Sequence, residues 1–289
     1  MSEPYSHDRP APPWRVAAHY PGGDVLVHDS VQVFDDRAAG GVIVTGSHMG
    51  TPASLFGAST GAKAIVGNDA GRGRDGAGVA GLDALEPYSV AAVAVGHTTA
   101  RIGDGRDTYD HGVVTAVNRW AKEVGVEEGM PVARAAQLLA GWSPPADRPL
   151  PAVEEGHSTS VYREQSPRVL AVDSASQIGP GLEHDIVLTG SHGGAVGGVG
   201  VKAPVAAAFF NDAGVGKDEA GMSRLPLLDK MGIPGMTVSN DSARIGFGDE
   251  TYRHGVVSSV NEAAAAAGVR VGMTAREATA AVLAAIGKG

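Results

Sequence analysis

The chain contains no cysteine. That removes thiol nucleophiles, thiolate metal sites and disulfides together. Positive charge is also short. Lys and Arg number 23 against 32 Asp and Glu, a formal net charge of −9. This balance argues against a nucleic-acid surface and against binding to anionic membranes. No stretch is long and apolar enough to span a bilayer, and the lead MSEPYSHDRPAPPW has no apolar signal core. The expectation is a soluble cytoplasmic protein. Close-spaced metal-ligand motifs such as HxH or HExxH are missing. A nucleotide loop is missing too. Lys202 follows Val201 rather than Gly and precedes neither Ser nor Thr, and Gly197, Gly198 and Gly200 miss the dinucleotide spacing. No nucleotide cofactor is expected.

What the chain does have is glycine, 42 of 289 residues, about twice the usual share. It also has an internal repeat. VIVTGSH (42–48) returns as IVLTGSH (186–192), NDAG (68–71) as NDAG (211–214), ARIG (100–103) as ARIG (243–246), and TYDHGVV (108–114) as TYRHGVV (251–257). Gly46 corresponds to Gly190 and Asn68 to Asn211, so the offset shortens by one residue between them. A repeat this long is too large for a solenoid unit and reads as two copies of a small domain.

The organisation follows. Residues 1–23 read as a polar, Pro-rich arm, 24–140 as copy one, 141–168 as a linker rich in Pro and charge, and 169–289 as copy two. In copy two, Val169–Val172, Ile186–Thr189, Val205–Phe210 and Met236–Ser239 are short apolar runs, as expected of strands buried on both faces. A short helix is expected after Ser223, with Leu225, Leu228 and Met231. A long helix is expected after Thr251, with Val256, Val257, Val260, Ala264 and Ala267 on one stripe and Gly268 as its stop. Copy one repeats it through Val113, Val117, Ala121 and Gly125. A last helix should open at Thr274, with Glu277 completing a capping box. Strands alternating with helices give an α/β fold: two tandem copies of a small, mainly parallel unit related by pseudo-twofold symmetry.

Ligands of open parallel sheets bind beyond the carboxyl ends of the strands, and the repeated polar motifs are expected there. The catalytic candidates are His48, His192, Asp69, Asp212, Ser191 and Ser242. A strand-end histidine beside a carboxylate, Asp69 or Asp212, suits a general base. The substrate-binding candidates are Ser47, Asn68, Asn211, Arg101, Arg244, Gly193, Gly194 and Lys217. Arginines clamp anions, and glycine-loop amides can stabilise an oxyanion. Each motif also has a structural reading. Gly-Ser-His and Asn-Asp-Ala-Gly are ordinary turn chemistry, Arg101 and Arg244 can be ion-pair partners of Asp75 and Asp218, and Asn118 and Asn261 can tie a helix to a strand.

The functional expectation is a hydrolase acting on a small anionic metabolite, with His192 or His48 as base and no cofactor. One alternative is a metal-assisted lyase or isomerase, with a divalent metal among His48, Asp69, His192 and Asp212. Another is a non-catalytic binding protein. The expected partner is the small-molecule substrate, not nucleic acid or membrane, and a homo-oligomer is left open.

Overall fold

The computed structural model describes residues 10–152 and 159–287. Residues 1–9, part of the expected arm, and 153–158, part of the expected linker, lie outside them. The fold is mixed α/β, with one six-stranded sheet in each half of the chain.

The first sheet runs β1 (Arg15–Tyr20), β2 (Gly23–His28), β3 (Val42–His48), β4 (Ala64–Asn68), β5 (Ala91–Val95) and β6 (Val114–Val117), in that spatial order. The second runs β7 (Thr159–Arg163), β8 (Val169–Val172), β9 (Ile186–His192), β10 (Ala207–Asn211), β11 (Gly235–Val238) and β12 (Val257–Val260). In each sheet the four inner strands are parallel and both edge strands are antiparallel to their neighbours. The two halves are therefore alike in strand order and direction, as two tandem units require.

The inner strands are mostly apolar up to their carboxyl ends because both faces are covered. Val42, Val44, Ala64, Val66, Val93 and Val95 pack into one core. Their alternates Ile65, Ala92 and Ala94 pack into another, on the opposite face. The period of two is the pleat itself. Helices α1 (Thr51–Ser59), α2 (Gly81–Ala84), α3 (Gly105–His111), α4 (Arg119–Glu123) and α5 (Val132–Ala140) accompany the first sheet. The second has α6 (Leu225–Lys230), α7 (Gly248–His254), α8 (Glu262–Ala266) and α9 (Ala275–Ile286). The second half has no counterpart of α1. There a loop from Gly193 to Ala203 carries only one 3-10 turn, Val196–Gly198.

The strand expectations hold to within two or three residues. So do the helix after Ser223 and the capping box, in which Thr274 Oγ1 accepts the Glu277 N–H at 3.2 Å and Glu277 returns to the Thr274 N–H at 2.8 Å. The long helix after Thr251 does not form. α7 stops at His254, β12 pairs antiparallel with β11, and α8 follows. The first half does the same with α3, β6 and α4. Three of the five residues of VVSSV are β-branched, and an edge strand that satisfies its backbone in the ladder outcompetes a helix there. Two strands also lie where none was expected. β1 sits in the supposed arm, and β7 in the supposed linker.

Candidate functional site

β3 and β9 end in the same seven-residue pattern, and both deliver Ser-His into one cleft of about 750 Å³. The cleft lies between the halves. Gln32 Nε2 crosses it to donate to Ser174 Oγ at 2.9 Å, and each histidine rests on the opposite half. A methyl group on Gly246 would come within 3.4 Å of His48 Cε1, and one on Gly103 within 3.4 Å of His192 Cε1. Gly46 and Gly190 make this approach possible. A Cβ there would lie 2.3 Å from the backbone nitrogen of Asp104 or of Phe247.

The two imidazoles are held alike. His48 Nδ1 accepts the Gly50 N–H at 3.0 Å, and His192 Nδ1 accepts the Gly194 N–H at 3.1 Å. An acceptor nitrogen carries no proton, so the ring proton resides on Nε2, which is left to the cleft. Burial pushes His48 down to about 4. Burial, the Arg224 charge and His48 itself push His192 down to about 3. Near neutral pH both rings are uncharged Nε2–H donors. Ser47 and Ser191 play matching parts, their Oγ atoms accepting the Val31 N–H at 3.0 Å and the Ala175 N–H at 2.9 Å.

Three groups on the cleft were missed in the sequence. Asp173 directly follows β8 and accepts the Gly248 N–H at 2.9 Å, as Asp29 accepts the Gly105 N–H at 3.0 Å. Lys202 stands on the loop that replaces α1. Arg224 is 7% exposed. It donates to Gly200 O at 2.7 Å and Gly194 O at 2.8 Å, and it stacks over Phe210 at 4.7 Å. No carboxylate pairs with it among the described residues, and its Nε has no partner. Burial lowers it to about 10, which leaves it cationic. Arg224 and Gly81 are counterparts: the backbone N–H of each donates to its own half, Gly193 O at 2.9 Å and Met49 O at 2.8 Å. Comparing the two copies there would have exposed the difference.

The remaining candidates lie away from the cleft. Asp69 accepts from His97 Nδ1 at 2.8 Å and from Thr115 Oγ1 at 2.9 Å, so its carboxylate orients His97 and not His48. Burial alone would raise Asp69, but the His97 and Gly71 hydrogen bonds hold it below the carboxylate range. Asp212 accepts the Gly214 and Asn240 N–H groups. Both aspartates thus brace the same loop in each half. Asn68 and Asn211 are fully buried staples. Each donates to Ala100 O or Ala243 O and accepts from Ala70 or Ala213.

Arg101 pairs with Asp218 at 2.7 Å, one of the two partners named for it, and also with Asp104 and Asp107. Arg244 pairs with Glu250 at 2.8 Å. Lys217 grips both Asp107 oxygens, at 2.8 and 3.0 Å. Ser242 Oγ donates to Ser239 O and accepts from Val256. The Gly193 N–H is taken by Asn211 O, and the Gly194 N–H by His192. Asn118 and Asn261 cap α4 and α8 and tie them to Ala92 and Gly235.

Among the described residues no group of three or more His, Asp or Glu side chains is placed to hold a metal ion, and Asp69 turns to His97 rather than to His48. No helix among those residues is long and apolar enough to cross a membrane. No family model matches the chain, and neither a curated protein nor a solved structure is similar to it.

Proposed function

We propose that the chain is a small-molecule hydrolase. Its site is the cleft between two repeats related by a pseudo-twofold axis, and its substrate is a small anionic metabolite. One observation carries the reading: two buried, uncharged imidazoles, each locked at Nδ1, present Nε2–H to one cavity. The reciprocal contacts support the axis. Arg74 N–H donates to Asn240 O at 2.8 Å, and Lys217 N–H donates to His97 O at 2.8 Å. The acidic, cysteine-free chain fits a soluble, cytoplasmic setting.

In this reading the histidines are oxyanion donors and not bases. A substrate carbonyl oxygen accepts from both Nε2–H groups. Water adds to the carbonyl carbon, and its proton passes to Asp173, the acid of the cleft. The tetrahedral oxyanion collapses, the bond to the leaving oxygen or nitrogen breaks, and the leaving group takes the proton back. The same two donors would stabilise an enolate, which keeps a lyase or isomerase as the second reading.

The test is a panel of carboxylate-bearing esters, lactones and amides, assayed with and without chelator. His48→Ala and His192→Ala should each lose roughly 10²–10³-fold in kcat, the usual loss for one oxyanion donor. His48→Gln and His192→Gln keep a donor near Nε2 and should recover part of it. An alanine loss with no glutamine recovery would return the histidines to the role of base. Loss of wild-type turnover on chelation would support the metal-assisted alternative, and no turnover on any substrate would leave a binding protein.

A further inference from the structure

The cleft is chemically lopsided. Its first-repeat wall has no Asp, Glu, Lys or Arg among the described residues, and Val31, Val33, Leu55 and Phe56 give it an apolar stretch beside Ser30, Gln32 and Thr51. Its second-repeat wall carries the charge. Among the described residues that line it, Lys202 and Arg224 are its cations and Asp173 its acid, a net positive lining within a chain of net charge −9. The asymmetry has a structural origin. At Gly81, the counterpart of Arg224, a Cβ would lie 2.0 Å from Ser54 Oγ on α1. Where α1 is replaced by the glycine-rich loop, an arginine side chain fits.

Arg224 is more than a clamp on that loop. Its bonds to Gly194 O and Gly200 O satisfy two nitrogens without neutralising the charge. An unpaired buried cation is costly, and Nε keeps an unused donor at 7% residue exposure. A planar guanidinium with a free N–H matches a carboxylate. The cavity, about 750 Å³, exceeds what a two-carbon anion fills and lies within the range that buries most of a drug-sized ligand.

We infer that the substrate is an amphipathic carboxylate, with its head on Arg224 and Lys202, its tail on Val31, Val33, Leu55 and Phe56, and its reacting carbonyl under His48 and His192. The inference rests on the cleft being the functional site, and it specifies the ligand class that the cleft takes.

Calorimetry with hexanoate, acetate and hexan-1-ol tests it on the whole protein. Hexanoate should bind at least about tenfold tighter than either control: over hexan-1-ol by the worth of one charge-assisted hydrogen bond, and over acetate by burial of its longer alkyl tail. Arg224→Met should reduce hexanoate to the level of hexan-1-ol. Lys202→Met, on the exposed loop, should weaken hexanoate by a smaller factor and spare hexan-1-ol. Phe56→Ala should erase the advantage over acetate. Should Arg224→Met fail to fold, Arg224→Lys, which keeps charge but not the planar fork, should fall between. Equal binding of hexanoate and hexan-1-ol, or unchanged hexanoate affinity in Arg224→Met, overturns the inference. His48→Ala and His192→Ala separate it from the catalytic reading. They should lose turnover and keep the hexanoate preference, so either result can fail without the other.

Discussion

An imidazole that accepts a backbone N–H at one nitrogen has a fixed tautomer, and burial then fixes its charge. His48 and His192 have both restraints. The unfolded chain takes up protons on these rings below about pH 6.5, whereas the folded chain resists until about 4 and about 3. Stability from these two groups is complete above pH 6.5 and is lost as pH falls through that window, at up to about 1.4 kcal/mol per unit for each ring. His97 runs the other way. Its bond to Asp69 raises it, so its contribution is present at low pH and lost as pH rises through its folded value. The fall in Tm between pH 7 and pH 5 should therefore be larger in the wild type than in a His48→Gln/His192→Gln double variant. Equal falls would show that burial of these rings is not what makes the protein acid-labile.

The histidines were legible in the sequence because both copies kept them and a turn does not need imidazole. Arg224 was not, because it is what one copy changed and it lies outside the repeated motifs. The match that contains Asp29-Ser30 and Asp173-Ser174 is short, VLVHDS against VLAVDS. The carboxylate partner was misassigned because strand ends adjacent in the sheet do not fix which way a side chain turns. Asp69 points to His97, one strand further on.

At the scale of elements, the apolar runs gave the inner strands directly, because strands buried on both faces need no alternation to be visible. The edge strands were harder. β1 and β7 are partly exposed and polar. β6 and β12 carry a valine spacing that satisfies a helical stripe as well as a strand. The TGSH glycines matter for another reason. They lie where the ARIG loop returns against the strand, with Gly103 N–H donating to Gly46 O and Gly246 N–H to Gly190 O, both at 2.7 Å. A side chain there would push that loop, and the glycine resting on the opposite histidine, out of place. Gly190→Ala should destabilise by about 1–3 kcal/mol or more, the cost of overpacking a tight site, and should also lower turnover. Gly179→Ala is the control. The nearest atom to its Cβ is 4.0 Å away, and denaturant unfolding should register little change. A small loss at Gly190 would mean that the loop yields and that the close approach is not what seats His48.

Across the whole molecule the halves meet on an apolar seam of Ala70, Ala77, Ile102, Ala213, Ala220 and Ile245. Polar bridges surround it, and the firmest joins Lys217 of the second half to Asp107 of the first. Asp107 is 4% exposed. Burial alone would raise its carboxyl, but Lys217, the Arg101 N–H and the Arg101 charge together hold it below the usual range. Removing Lys217 leaves the buried Asp107 carboxylate to Arg101 alone, whereas removing the carboxylate charge as well takes away the group that needs the cation. Lys217→Met should therefore destabilise by about 1–3 kcal/mol. The Lys217→Met/Asp107→Asn double variant should lose less than the two single losses combined. Because Asp107 is depressed, its contribution is present above its unfolded value and lost as acid protonates it, so the Lys217→Met penalty should shrink toward pH 3. Lys217 was also a candidate for substrate binding, and the two roles separate kinetically. A seam residue lowers the unfolding midpoint and leaves KM near the wild-type value at temperatures where the variant is folded. A raised KM with unchanged stability would move Lys217 from the seam to the substrate.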